Sequence, residues 1–100
     1  MGKAKKAAKS FIDGIPDSKL ENIPNGMGTL YKTKDFRLDM QGITTEKPKC
    51  WNLQVQVNNE TSVSTLKKET GKTVSTVLVP MDSKWTAAQI KEKLHKSLNL

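Results

Sequence analysis

The sequence predicts an α+β domain in which a three-stranded antiparallel sheet packs on one C-terminal helix, preceded by a disordered basic N-terminal arm. Residues 50–58 alternate strictly between apolar and polar side chains, which is the period of a strand with one buried face. Residues 73–79 are rich in β-branched side chains, and residues 84–98 carry an apolar stripe at helical spacing. A chain of 100 residues is expected to form one domain with a single modest core.

The N-terminal residues 1–10 contain four lysines and three alanines but no bulky apolar residue after Met1. A segment of this composition buries too little apolar surface to offset the entropy lost on ordering. The composition therefore predicts a flexible basic arm at 1–10. Residues 11–28, which Gly and Pro interrupt repeatedly, are expected to form an irregular segment packed on the domain, with a short helical turn over 19–22 following Pro16.

The sheet-and-helix domain is predicted to span residues 29–100. Residues 29–40 alternate at period two and are interpreted as one extended stretch, whose core-facing side chains are Phe36, Leu38 and Met40. In the next strand the predicted core face comprises Trp51, Leu53, Val55 and Val57, and the opposite face comprises Asn52, Gln54 and Gln56.

Residues 61–66 are interpreted as a short strand or a loop, and residues 67–72 as a basic hairpin tip in which Gly71 supplies the special backbone angles. Pro80 closes the last strand. Asp82 or Ser83 is the predicted cap of a helix over about residues 84–98, whose buried stripe is Ala87, Ile90, Leu94 and Leu98.

The sequence contains no recognisable catalytic constellation. It has one cysteine, Cys50, and one histidine, His95, so we expect neither a disulfide within the chain nor a metal site. The carboxylates are scattered, and no apolar run is long enough to span a membrane. We therefore expect a non-enzymatic intracellular protein, in the cytoplasm, nucleoid or nucleus, that uses no cofactor and no membrane.

The charge balance indicates the class of partner. Seventeen basic residues against ten acidic ones give a net charge of +7 and a pI of about 9.6. A domain with this balance is suited to polyanions. DNA is the expected partner, and RNA or an acidic protein are the alternatives.

Two kinds of side chain make up the candidate site. Amide side chains on an open sheet face can hydrogen-bond to adenine, and an arginine can hydrogen-bond to guanine. The candidate base contacts are therefore Asn52, Gln54, Gln56 and the only arginine, Arg37. Lysines of the arm and loops can neutralise phosphates; they are Lys3, Lys5, Lys6, Lys9, Lys32, Lys34, Lys49, Lys67, Lys68 and Lys72.

Residues 29–98 resemble the AP2-type DNA-binding domains and the related arm-binding N-terminal domains of phage integrases. The similarity lies in the strand Trp51-Asn-Leu-Gln-Val-Gln-Val, in Gly71-Lys-Thr-Val, and in Asp82-Ser-Lys followed by two alanines at 87–88. The resemblance implies a sheet that enters the major groove, and a phage or mobile-element accessory or regulatory factor. The contacts that it implies are Arg37, Lys49, Asn52, Gln54, Lys72 and Ser75.

Two other resemblances imply different partners. Residues 70–82 and the helix around 90–94 look like the opening hairpin and helix of a ubiquitin-like β-grasp domain, which implies a protein-interaction module that binds an acidic partner. A sheet followed by a C-terminal helix also resembles the double-stranded-RNA-binding domains, which implies an RNA ligand.

Overall fold

A computed structural model describes residues 2–100, and their side chains at every position except 60 and 61. The helices are α1 (Lys3–Asp13), α2 (Asp17–Glu21), α3 (Glu60–Thr70) and α4 (Ala87–Ser97), and the strands are β1 (Met27–Lys32), β2 (Phe36–Ile43), β3 (Cys50–Val57) and β4 (Val74–Pro80). The strands form one sheet in the order β1-β2-β3-β4, and each neighbouring pair is antiparallel. The α+β class is as expected, but the prediction of three strands packed on a single helix is wrong.

The N-terminal segment is helical, and the prediction of a disordered arm at 1–10 is wrong for residues 3–10; Met1 lies outside the described residues. Ala8, Phe11 and Ile12 of α1 are buried, and Ala4 packs against the same core. These four positions form one helical stripe that crosses residue 10. Composition alone hides this stripe, because its first half contains only alanines.

Phe11 attaches α1 to the sheet. Its ring lies 5.5 Å from that of Tyr31 on β1 and 5.4 Å from that of Phe36 on β2, between ring centroids. Such aromatic contacts add stabilisation beyond the area that they bury. The short helix predicted after Pro16 is confirmed as α2, so residues 11–28 are less irregular than expected.

The stretch at 29–40 is a hairpin rather than one extended segment. The chain reverses at residues 33–35, where Thr33 N donates to Phe36 O at 2.9 Å. This turn contains neither Gly nor Pro, so the usual sequence signal for a reversal is missing. The predicted core residues Phe36, Leu38 and Met40 are confirmed as buried.

The segment between β3 and β4 is a helix, and both the strand-or-loop and the hairpin-tip predictions are wrong. Asn59 caps α3 by accepting from Ser62 N at 2.8 Å, and Gly71 ends it with φ +81°, a left-handed conformation that favours glycine. Leu66 and Thr70 lie one turn apart and are buried, so only a narrow apolar stripe marks this helix in the sequence.

The last strand and the last helix agree with prediction except at the helix start. The helix begins at Ala87, and its cap is Thr86, which forms a reciprocal capping box with Gln89; Asp82 and Ser83 are not the cap. The predicted stripe is buried, with Ile90, Leu94 and Leu98 at 1% exposure or less. The β3 strand and its apolar face are also confirmed, because Leu53 and Val55 are buried.

The helices cover one face of the sheet. Helix α4 contacts β4 and α3 contacts β3, while α1 contacts both α3 and α4. The opposite face of the sheet, called here the outer face, has no helix on it. None of the described helices has the length and apolar character needed to cross a membrane.

Candidate nucleic-acid interface

Two lysine runs that are distant in sequence meet where α1 begins and α3 ends. The carboxylate of Glu69 on α3 accepts from Lys5 N at 2.9 Å and from Ala4 N at 3.4 Å. Backbone N–H groups in the first turn of a helix lack intrahelical partners, so Glu69 acts as a cap supplied from another helix. The fold therefore places the segment that carries Lys3, Lys5 and Lys6 beside the segment that carries Lys67, Lys68 and Lys72, and we call these six residues the α1–α3 lysine patch.

Gly2 makes room for this cap. A Cβ atom built on Gly2 would collide with the carboxylate of Glu69. A side chain at position 2 would therefore force Glu69 away from the helix start. Residue 2 has extended backbone angles, as is usual for the residue that precedes a helix.

The ammonium groups of the patch are uncompensated within the described part of the structure. No carboxylate among the described side chains lies within 4.0 Å of any of the six. The nearest acidic group along α3, Glu69, is directed at backbone amides. Lys67 and Lys68 also lie in the last turn of α3, where the helix dipole favours cations.

The remaining predicted lysines lie elsewhere. Lys9 is on α1 and pairs with Asp13 at 3.3 Å. Lys32 ends β1, Lys34 lies in the β1–β2 turn and Lys49 lies in the β2–β3 loop. The structure therefore separates the predicted phosphate contacts into the α1–α3 lysine patch and single lysines spread over other parts of the surface.

The outer face of the sheet is a grid of three rows, each with one residue from every strand. Strand register aligns the rows Met27–Gln41–Asn52–Leu78, Thr29–Asp39–Gln54–Thr76 and Lys32–Arg37–Gln56–Val74. All three predicted amides, Asn52, Gln54 and Gln56, thus lie on this face. A shallow depression of ≈ 310 Å³ opens between Met27, Gln41 and Asn52.

Arg37 is held by neighbouring side chains on this face. Its Nε donates to Asp39 at 2.9 Å, its Nη1 to Asn58 at 3.0 Å and its Nη2 to Gln56 at 2.9 Å. Gln56 in turn donates to Gln54 at 3.0 Å. Arg37, Gln54 and Gln56 were all predicted to read bases. To contact a base, each of them would have to break these hydrogen bonds to its neighbours.

Ser75 is not on the outer face. It is completely buried, and its hydroxyl donates to Leu94 O of α4 at 2.9 Å. Ser75 alternates with the outward-facing Val74 and Thr76 along β4. The contact that the AP2 resemblance implies at Ser75 is therefore wrong, and the residue instead joins the sheet to α4.

Sequence reasoning missed the carboxylates that anchor α4. The Nε2 atom of His95 lies 3.0 Å from Asp13 Oδ1, and Lys91 Nζ donates to Asp13 O and to Asp17 Oδ1, both at 3.1 Å. Local sequence carries no signal for this cluster, because each of its contacts joins residues more than 70 positions apart. It connects α4 to the junction between α1 and α2.

Replacing Glu69 tests the cap. We expect Glu69→Gln to lower the free energy of unfolding by about 1 kcal/mol, because the charged acceptor at the helix start is lost. Glu92→Gln is the matched control, since Glu92 forms only an exposed pair with Lys96 at 3.2 Å, and such a pair contributes a few tenths of a kcal/mol at most. Urea denaturation followed by circular dichroism measures both; equal losses would contradict the capping role.

The described residues contain no cluster of three or more His, Cys, Asp or Glu side chains arranged to hold a metal ion. Comparisons with protein families, with curated proteins and with solved structures found no match to this chain.

Proposed function

We propose that this protein is a non-enzymatic DNA-binding protein that captures the phosphate backbone through the α1–α3 lysine patch. The observation that carries the proposal is the convergence of two lysine runs around Glu69. Clustered cations bind DNA by displacing its condensed counterions. A cluster on packed helices presents them without the ordering cost that a flexible arm would incur.

The proposed binding mode is contact with phosphates rather than with base edges. Arg37 is the only arginine, and its donors are bonded to neighbouring side chains. No other side chain in the sequence carries a planar guanidinium fork. Lysine contacts to phosphate position a protein on the duplex and carry no sequence information. We therefore expect a weak sequence preference and a steep dependence on salt.

A charge-matched pair of variants tests the site. In the patch variant four lysines become glutamine, at Lys3, Lys6, Lys67 and Lys68. In the control variant four exposed lysines elsewhere become glutamine, at Lys19, Lys47, Lys84 and Lys96. Both variants lose the same net charge, so a difference between them reports the location of binding and not the total charge.

Fluorescence anisotropy with a labelled 20-base-pair duplex, at several salt concentrations between 50 and 200 mM, gives affinity and salt slope together. We expect the patch variant to bind about 100-fold more weakly at the lower salt concentrations and its log–log salt slope to fall by about 3. The control variant should lose less than about tenfold. Equal losses in the two variants would overturn the patch as the binding site.

Competition identifies the class of polyanion. Unlabelled DNA duplex, RNA duplex of matched length and an acidic peptide are each added to the complex with labelled DNA. If the acidic peptide displaces DNA at equal charge concentration, or if the wild-type protein fails to bind DNA at 50 mM salt, the DNA proposal is wrong and a protein partner replaces it. Displacement by the RNA duplex at much lower concentration than by DNA would assign RNA instead.

A further inference from the structure

The outer face of the sheet differs in chemistry from the rest of the surface. Three large hydrophobic residues are exposed in the described structure, Met27 at 79%, Leu78 at 54% and Val74 at 37%, and all three belong to the outer-face grid. The charged members of the grid are Lys32, Arg37 and Asp39. The face therefore contributes only +1 to the net charge of +7, and most of the positive charge lies elsewhere.

The ion pair at the centre of the outer face is arranged so that it can lose water. Arg37 and Asp39 form an ion pair at 2.9 Å, and the remaining guanidinium nitrogens donate to Asn58 and Gln56. The second carboxylate oxygen of Asp39 accepts from the Thr29 hydroxyl at 2.7 Å. Burying a charge is costly when it has no partner, and here each charge of the pair is already hydrogen-bonded within the same chain.

We propose that the outer face is the interface of a two-fold symmetric dimer, in which a second copy of this chain packs sheet against sheet. A two-fold axis parallel to the strands places β1 of one copy over β4 of the other. This rotation does not change the position of a residue along the strand direction, so each row of the grid faces the same row of the second copy. It does reverse the strand order, so β1 faces β4 and β2 faces β3.

This arrangement pairs the outer face with itself favourably. Met27 of each copy lies over Leu78 of the other copy, so this apolar contact occurs twice in the dimer. Each Leu78 also lies over the depression that opens between Met27, Gln41 and Asn52 of the opposite copy. Asp39 lies over an amide, Gln54, and Arg37 over Gln56. No charged residue of the grid faces a like charge. The alternative axis, perpendicular to the strands, would stack Asp39 on Asp39 and Met27 on Lys32. Sheet twist rotates packed sheets by about 30°, which keeps the central pairs in place and offsets the corner pairs sideways by about 5 Å, roughly one strand spacing, a distance that the long side chains of Met27 and Leu78 can span.

Charge and area agree with a second copy as the occupant. Packed sheets lie about 10 Å apart, so the two helical layers with their lysines remain several Debye lengths from each other at physiological salt. Four strands of six to eight residues cover about 400 Å² in projection. Two such faces bury roughly 800 Å² in total, below the size of a standard specific interface and in the range of weak, transient contacts. The dimer is therefore weak and concentration-dependent.

Sedimentation equilibrium of the full chain without nucleic acid, from about 10 μM to 1 mM, tests the proposal independently of DNA binding. We expect the average mass to rise from monomer toward dimer over this range. The single variants Met27→Lys and Leu78→Glu should each weaken dimerisation by about 30-fold. Ala88→Lys, an exposed position on α4, is the control and should dimerise as the wild type does.

The double variant Met27→Lys/Leu78→Glu distinguishes this interface from any other. Within one chain the two positions lie on opposite edge strands, about 14 Å apart, but across the proposed interface they face each other. The double variant should therefore regain most of the dimerisation that each single variant loses. Circular dichroism confirms that all variants are folded. A wild-type monomer at 1 mM, single variants that dimerise normally, or a double variant as impaired as the single ones would each overturn the proposal.

Discussion

Replacing Phe11 with alanine should lower the free energy of unfolding by about 3–5 kcal/mol, the usual cost of removing a buried phenyl ring. Phe11 is 5% exposed and contacts the rings of Tyr31 and Phe36. The loss would affect the entire domain, because α1 also contacts α3 and α4.

The neighbouring variant Ser10→Ala is the control for Phe11→Ala. Ser10 is exposed on the same helix, so its replacement should change stability by less than about 0.5 kcal/mol. Chemical denaturation followed by tryptophan fluorescence compares the two. A Phe11→Ala variant as stable as Ser10→Ala would mean that α1 is not docked on the sheet.

The same substitution at two leucines on neighbouring strands tests which side of the sheet is buried. Leu53→Ala should cost about 2–5 kcal/mol, because Leu53 is fully buried beneath the helices. Leu78→Ala should cost less than about 1 kcal/mol, because Leu78 is 54% exposed on the outer face. The two leucines lose identical atoms, so the difference reports burial alone.

The comparison is made below about 10 μM protein, where the proposed dimer does not contribute to the stability of the Leu78 variant. A slip of one residue in strand register would exchange the two faces and reverse the order of the two effects. Equal effects would contradict the assignment of an inner and an outer face.

The parts of the fold that could be predicted are those in which one periodicity dominates. β3 alternates without interruption, and α4 repeats its apolar residues every three or four positions, so burial on one side determines each pattern. The β1–β2 hairpin was missed because its turn contains no glycine or proline. α1 was missed because the first half of its buried stripe contains only alanines. α3 was missed because, among its described side chains, only Leu66 and Thr70 are buried, which is a weak signal in the sequence.

The candidate site shows the same division. The lysines of the α1–α3 lysine patch were all predicted from their charge to be phosphate contacts, and this stays a prediction. The position of their two segments side by side depends on Glu69, which lies more than sixty residues from the amides that it caps. Local sequence carries no signal for such a contact. Arg37 was identified as a base reader from its type, whereas its bonds to Asp39, Asn58 and Gln56 follow from strand register.

The cap on α1 also has a consequence for the order of events during synthesis. Helix α1 leaves the ribosome before the other described helices, and it acquires its capping carboxylate only when Glu69 emerges, which at ordinary rates of translation is roughly 3–13 s later. Its contacts with α4 come later still. During that interval the stripe that includes Phe11 and Ile12 is without its final partners, and residues 3–13 form too short a helix to be stable alone in water. Helix α1 is thus made before the helices that it contacts and completes its native contacts only after they have emerged.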